Sequence, residues 1–355
     1  MFVRSQPSGA LWHAGAVITE SPELEAALWG ELVRLQIPAR PVVLSTPWRV
    51  GAVVAYLFPA DPVTLVDAGY DSPEARQGFA AAFEEAGRDL GELVRIIVTH
   101  GHTDHFGCAA WLQELSGCEV VMHEADAVRM RGWMTDRTRA MRDLYVPMGV
   151  PAEALDRYTD DDGRPALPDI TPISGGESYP AGGTTLRVEH LPGHAAGHCV
   201  VIEERTGAVF AGDYLLSHTP TNSGLDLDPT HPTGRAPMLS WYNAGLRKLA
   251  GMDIPALFPG HGPPVTDHAA LIARRLSKSG RRTEHVLSEL GRRGPSTALE
   301  LALDMYGQRV LRDPWGFMGD VVGRLDLLVE EGRARSQKRD DGVWIYISTQ
   351  EGNDG

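Results

Sequence analysis

The stretch Thr99-His100-Gly101-His102-Thr103-Asp104-His105-Phe106-Gly107 puts three imidazoles and a carboxylate within six residues, directly after the apolar run Val94-Arg95-Ile96-Ile97-Val98. Neutral imidazole nitrogens and carboxylate oxygens are the donors that zinc and similar divalent ions take. His100 and His102, two apart in an extended turn, can converge on one ion. Asp104 and His105, adjacent and splayed, can serve a second ion close by. One loop carries too few donors for two ions, so the rest must come from elsewhere. Three later segments offer them, each beside a glycine: Pro192-Gly193-His194, Gly212-Asp213-Tyr214 and Pro259-Gly260-His261-Gly262. Asp213 can bridge two ions, because a carboxylate has two oxygens.

The elements around these segments read as alternating strands and helices. Two β-branched runs, from Val50 to Leu57 and from Val63 to Val66, flank Pro59-Ala60-Asp61-Pro62 and predict a hairpin. Ser72 to Gly87 carries Ala75, Phe79, Ala82, Phe83 and Ala86 at helical spacing. The run from Val94 to Val98 predicts a buried strand, Cys108 to Leu115 a short helix and Glu119 to His123 another strand. A second set follows at Thr185 to Leu191, Cys199 to Glu203 and Ala208 to Ala211, then a helix from Ser240 to Leu249 and a strand at Ala256 to Phe258. Alternation of this kind argues α/β layering. Four times an apolar strand ends in a loop bearing His or Asp, which suggests two half-domains facing one cleft.

The pattern H-x-H-x-D-H, then H, then D, then H, resembles that of the metallo-β-lactamase superfamily, specifically its glyoxalase II-like hydrolases, from about Val50 to Val265. The resemblance implies an αβ/βα sandwich with metals at one edge. It assigns His100, His102 and His194 to a first ion and Asp104, His105 and His261 to a second, with Asp213 bridging. Asp67 in Leu65-Val66-Asp67-Ala68-Gly69 matches the family's early aspartate, which usually stands behind the ligands. Two divalent ions are expected, zinc by donor type, with iron or manganese as alternatives. A hydroxide bridging them would attack the substrate, with Asp104 and Asp213 orienting it and taking its proton. Relatives that use di-iron for oxygen chemistry typically carry Glu at the place of His102 and a flavin domain; neither is present here, so hydrolysis is preferred.

Net charge is −14, and it is uneven. Residues 1–269 hold 19 Lys and Arg against 34 Asp and Glu, whereas residues 270–348 hold 14 against 11. The expected division is a hydrolase domain over 1–269 with a helical insertion over about 124–168, a small C-terminal unit over 270–348 and a tail over 349–355. Three helices (Leu271 to Gly291, Ser296 to Tyr306, Trp315 to Gly332) and a hairpin from Ala334 to Ile347 make that unit winged-helix-like, similar to an extension found on one branch of these hydrolases. It is expected to wall the cleft or to mediate a homodimer.

A thioester or related acyl ester of a small acid is the preferred substrate. Met130, Trp133, Met134, Met141 and Met148 give the insertion a flexible apolar stripe suited to acyl groups, and His198, four residues after His194, is a further candidate either to approach substrate or to stand behind the ligands. The rival readings are a phosphodiesterase or ribonuclease using the same metals, and a winged-helix nucleic-acid-binding protein. The acidic large domain repels polyanions, and acids interleave the C-terminal Arg and Lys residues, so nucleic acid is disfavoured. Apolar stretches such as Val50 to Pro59 fall far short of the ~20 residues of a membrane span, and Met1 to Gly15 shows no secretory signal. Cys108, Cys118 and Cys199 make no disulfide framework, so a reducing cytoplasm is expected.

Overall fold

The computed structural model describes residues 22–48, 50–156, 165–228, 231 and 234–349, with the side chains of Trp133, Met134 and Trp315 outside that description. Elements are numbered in chain order. The first sheet runs β1 (Arg40–Leu44), β2 (Val53–Phe58), β3 (Thr64–Val66), β4 (Arg95–Ile97), β5 (Glu119–His123) and β6 (Ile170–Ile173). The expected hairpin is β2–β3, paired antiparallel with Tyr56 opposite Val66. From β3 to β6 the pairing is parallel, so these strands send their C-terminal ends to one edge. The second sheet has the order β11 (Leu257–Pro259), β10 (Val209–Gly212), β9 (Cys199–Glu203), β8 (Thr184–His190), β7 (Ser178–Ala181).

The sheets bury both faces because their strands are apolar on both faces. Along β2, Val54, Tyr56 and Phe58 join Val66, Ile97, Leu186, Val188, Val201, Phe210 and Phe258 in the core between the sheets. The alternate residues Val53, Ala55 and Leu57 face outward with Leu65, Ile96 and Val120. There α2 (Pro73–Glu85) and α4 (Ala109–Ser116) cover them through Phe79, Phe83 and Leu112. On the far side, α7 (Met238–Ala250) and the first turns of α8 (His268–Arg293) cover Val200, Ile202, Val209 and Leu257 with Leu246, Leu249, Leu271 and Ile272. Helix, sheet, sheet, helix is the expected αβ/βα sandwich. Strands β1, β6 and β7 were not anticipated. Each is a sheet edge and each contains a proline (Pro41, Pro172, Pro180), which an edge tolerates and which hides the strand signal in the sequence.

The remaining helices are α1 (Pro22–Arg34), the short α3 (Thr103–Phe106), α5 (Glu124–Thr135), α6 (Arg137–Tyr145), α9 (Ala298–Tyr306), α10 (Arg309–Arg312) and α11 (Pro314–Glu330), followed by the hairpin β12 (Ala334–Lys338) and β13 (Trp344–Ser348). The charge change near residue 270 does not fall between elements, because α8 runs unbroken from 268 to 293. Its start packs on the second sheet, and Val286, Leu287 and Leu290 near its end pack with α9 and α11. Met141, Leu144, Tyr145 and Met148 of the insertion enter that same C-terminal core. The insertion and the C-terminal elements therefore share one hydrophobic core. Of the expected tail only Thr349 is described.

A buried ion pair locks the C-terminal elements to the larger part of the chain. Arg235 donates to Asp326 on α11 from Nε at 3.1 Å and from Nη2 at 2.6 Å, and both side chains are almost fully buried. Asp326→Ala leaves the buried Arg235 guanidinium with the Tyr346 hydroxyl but without its carboxylate, and is expected to lower unfolding free energy by about 3–5 kcal/mol. The double change Arg235→Met with Asp326→Leu should recover most of that loss, as read by denaturant titration.

Candidate metal centre

Both sheets deliver their chemistry to the same edge. Strand β3 ends at Asp67, which is 2% exposed and takes the left-handed φ of 63°. Asp and Asn tolerate that conformation better than other side-chain-bearing residues. The carboxylate accepts from the Thr99 backbone N–H at 2.7 Å, from Thr99 Oγ1 at 2.9 Å and from His105 Nδ1 at 2.7 Å. Thr99 Oγ1 in turn lies 3.1 Å from His100 Nδ1. The second sheet is pinned on by Val54 N to Gly260 O at 2.7 Å, Cys199 N to Thr99 O at 2.8 Å and Tyr56 OH to Pro259 O at 2.7 Å.

Three triads of donor atoms result, each gathered within 4.8 Å: His100, His102 and His194; Asp104, His105 and His261; and His100, His105 and Asp213. His102 Nδ1 is 2.9 Å from His100 Nε2 and 3.1 Å from His194 Nε2. Asp213 Oδ2 is 3.8 Å from His194 Nε2, while its Oδ1 is 3.4 Å from His105 Nε2 and 3.7 Å from His261 Nε2. One carboxylate thus faces both groups. Away from the centre, His194 Nδ1 donates to Asn222 O at 3.0 Å and His261 Nδ1 to Ala52 O at 2.8 Å. Spending the outer N–H in this way leaves the inner nitrogen as a lone-pair donor.

These donors fit divalent ions. Three imidazole nitrogens facing one another cannot all be satisfied by protons, but one cation satisfies them together. His105 Nε2 and Asp213 Oδ1 are buried without a hydrogen-bond partner, both aimed at the centre. Burial, with the neighbouring imidazoles, holds His100 and His102 well below the ordinary histidine range, and burial also lowers His194, which favours the neutral, donating form of each ring. Burial also pulls His105 down, but Asp67, Asp213 and Asp104 outweigh it and hold the ring well above that range. For Asp213, burial opposes ionisation, and His261 and His105 overcome it.

The sequence model of the Metallo-beta-lactamase superfamily matches residues 48–261. The chain belongs to the metallo-β-lactamase superfamily. It is 29% identical to "Probable metallo-hydrolase YqjP" of Bacillus subtilis over 317 residues, covering 86% of this chain and 96% of that one. It is also 28% identical to "Atrochrysone carboxyl ACP thioesterase AgnL7" of Paecilomyces divaricatus over 233 residues, 61% of this chain and 66% of that one. Among solved structures, the metallo-beta-lactamase family protein TTHA1429 from Thermus thermophilus superposes with a TM-score of 0.72 at 25% identity, covering 88% and 98% of the two chains. A beta-lactamase domain protein from Burkholderia ambifaria gives 0.75 at 24%, covering 88% and 92%. Together these relatives mark the chain as a hydrolase of the superfamily, and the superfamily fold with its His and Asp clusters implies divalent metal ions.

The structure brings the seven residues His100, His102, Asp104, His105, His194, Asp213 and His261 together in the three donor triads. His198 does not reach the cleft. It is fully buried, stacked on His100 with ring centroids 4.8 Å apart, so it backs a donor instead of meeting substrate. Met130 is buried too, with its Cγ about 3 Å from where a Cβ on Gly101 would stand. Trp133 and Met134 side chains lie outside the described residues. Sequence reasoning missed Asp126, which is 1% exposed and accepts from Gly101 N at 2.7 Å and from Gly197 N at 2.6 Å. It ties the two histidine loops together, and no spacing signal marks it, because its partners are backbone groups from distant segments.

Asp126→Ala leaves the half-buried Gly101 N–H and the buried Gly197 N–H without this acceptor, at about 1–3 kcal/mol each. Denaturant unfolding of chelator-treated protein should show a loss of about 2–6 kcal/mol. A change under about 0.5 kcal/mol, the level of an ordinary surface substitution, would show that Asp126 is not the link between the loops.

Proposed function

We propose that this hydrolase works with two divalent metal ions, zinc by donor type with iron or manganese as alternatives, and cleaves a thioester or related acyl ester of a small acid. The observation that carries the reading is the convergence of three donor triads with Asp213 facing both sides. In this reading His100, His102 and His194 hold one ion, Asp104, His105 and His261 the other, and Asp213 joins them. Divalent ions held so supply hydroxide at neutral pH by lowering the pKa of water from about 15.7 to roughly 7, and they polarise the bond to be cleaved.

The protein's own groups do the rest. Asp104 is kept ionised because His105 and His261 outweigh the effect of its burial, and its Oδ2 lies 3.2 Å from His261 Nε2. It is the group to orient the attacking water and accept its proton. Asp213 holds the two donor sets at a constant separation. Beside the His194 loop an open cavity of about 880 Å3 is lined by Val128, Ala196, Leu227 and Trp241 together with charged residues such as Arg129, Arg131 and Asp226. Val128 and Leu227 are exposed there, which supports an apolar acyl group as occupant. The stripe expected to bind it is less suited, since Met141 and Met148 are wholly buried in the C-terminal core.

Nucleic acid is disfavoured by the pairing of the C-terminal basic side chains with acids: Arg292 with Glu289, Arg293 with Asp304, Arg333 with Glu284 and Arg339 with Asp341. No helix among the described residues is long and apolar enough to cross a membrane. Cys108, Cys118 and Cys199 are buried free thiols, which supports a cytoplasmic setting.

Purified zinc-loaded protein should release free thiol from acyl-CoA or acyl-glutathione and leave RNA and a phosphodiester intact; the reverse pattern would overturn the substrate class. Chelation should abolish turnover, and zinc should restore it. Asp104→Asn keeps the size, removes the charge and should cut kcat at least about tenfold, equivalent to about 1.4 kcal/mol of barrier. His261→Ala should release one ion preferentially, as read by elemental analysis.

A further inference from the structure

The His194 ring is held from behind by a segment that the C-terminal elements hold in turn. Asn222 O accepts from His194 Nδ1 at 3.0 Å, and Gly224 N donates to Gly193 O at 2.8 Å, so residues 222–224 lie flat against the His194 loop. Thr221 Oγ1, just upstream, donates to Asp213 O at 2.7 Å. The opposite side of this segment rests on α11. A Cβ on Gly319 would stand 3.1 Å from Ser223 O, and one on Gly323 would stand 3.2 Å from Ser223 Oγ. The two glycines are four apart, hence on one face of the helix, and they let the backbone approach without a side chain between. Leu225 continues the contact into the core formed by Met318, Val321, Val322 and Leu325 of α11. Further along the same loop, Arg235 is anchored to Asp326 of α11.

We propose that α11 is a positioning element of the metal centre. Its Gly319 and Gly323 seat Ser223 so that the Asn222 carbonyl meets His194 Nδ1–H, which presents Nε2 to the ion shared with His100 and His102. The proposal rests on the two-ion reading above and adds to it a part that lies outside the matched family region of 48–261. It also gives the C-terminal elements a role that needs no partner. A side chain at Gly319 would crowd Ser223 O, and one at Gly323 would crowd Ser223 Oγ and Leu239 Cβ, so residue 223 must give by a few tenths of an ångström, displacing the adjoining Asn222 carbonyl from its place on His194. Asn222 bonds His194 directly, whereas the Asp104, His105 and His261 group is linked to this segment only through Asp213, so the ion at His194 should be affected far more than the other.

The test is a zinc titration of the metal-free full-length chain by calorimetry, with a chromophoric chelator as competitor. The wild-type chain should take two ions, and His194→Ala identifies which binding event involves that ring. Gly319→Val should weaken that event at least tenfold and leave the other within about twofold, with no reference to turnover. Gly323→Ala, a smaller intrusion that keeps the fold, should act in the same direction to a lesser degree. Gly280→Ala on α8, where a Cβ meets nothing within 4 Å, is the control for helix propensity and should leave both events unchanged. Unchanged affinities in both α11 variants, or equal weakening of both events, would overturn the proposal and reduce α11 to packing. A wild-type chain that binds fewer than two ions, or a His194→Ala chain that still binds both normally, would instead sink the metal reading beneath it.

Discussion

Asp67 holds both ends of the histidine loop with one side chain: two bonds to Thr99 at its start and one to His105 near its end. Through Thr99 Oγ1 it also reaches His100. The carboxylate is desolvated and its backbone is in the left-handed region, a combination that costs free energy unless the surroundings over-determine it. Here three donors supply that compensation, and the outcome is a loop whose rings have defined tautomers and directions. His194 and His261 are held in a comparable way by the carbonyls of Asn222 and Ala52. Each ring spends a proton on the protein so that a lone pair faces inward.

A second constraint is that the donors arrive on two sheets. Neither sheet carries a complete triad set: His100, His102, Asp104 and His105 follow β4, whereas His194, Asp213 and His261 come from loops of the other sheet. The core between the sheets therefore has to set the spacing of the ligands as well as the stability of the fold. Edge-to-edge bonds such as Val54 N to Gly260 O, and the bidentate use of Asp126, convert that packing into fixed loop positions.

The C-terminal elements and the insertion share one hydrophobic core, with Met141 and Met148 meeting Val286, Leu290 and Val322. The consequence is a continuous wall from the insertion to α11, against which Ser223, Leu225 and Arg235 rest. Of the apolar stripe read as a substrate surface, Met141 and Met148 belong to this shared core and Met130 to the layer outside the first sheet. The open apolar surface near the His194 loop comes from Val128, Leu227 and Trp241.

The donor residues were legible because a histidine cluster after an apolar run is local: spacing alone places His100, His102, Asp104 and His105 in one loop, and the resemblance supplies the order of the others. The central strands were legible for the same reason, each being a short apolar run. Edge strands β1, β6 and β7 were not, since their prolines are compatible with an edge only once the sheet exists. Nor was the boundary at 270, where composition changes inside a continuous helix. By itself the sequence determined which side chains could bind metal and the sandwich that would carry them. Only the tertiary structure decided that Asp126 clamps two loops, that His198 backs His100 instead of meeting substrate, and that α11 lies behind His194. Each of these depends on a backbone group or a ring face contributed by a segment far away in the chain, and such contacts leave no periodicity or spacing to read.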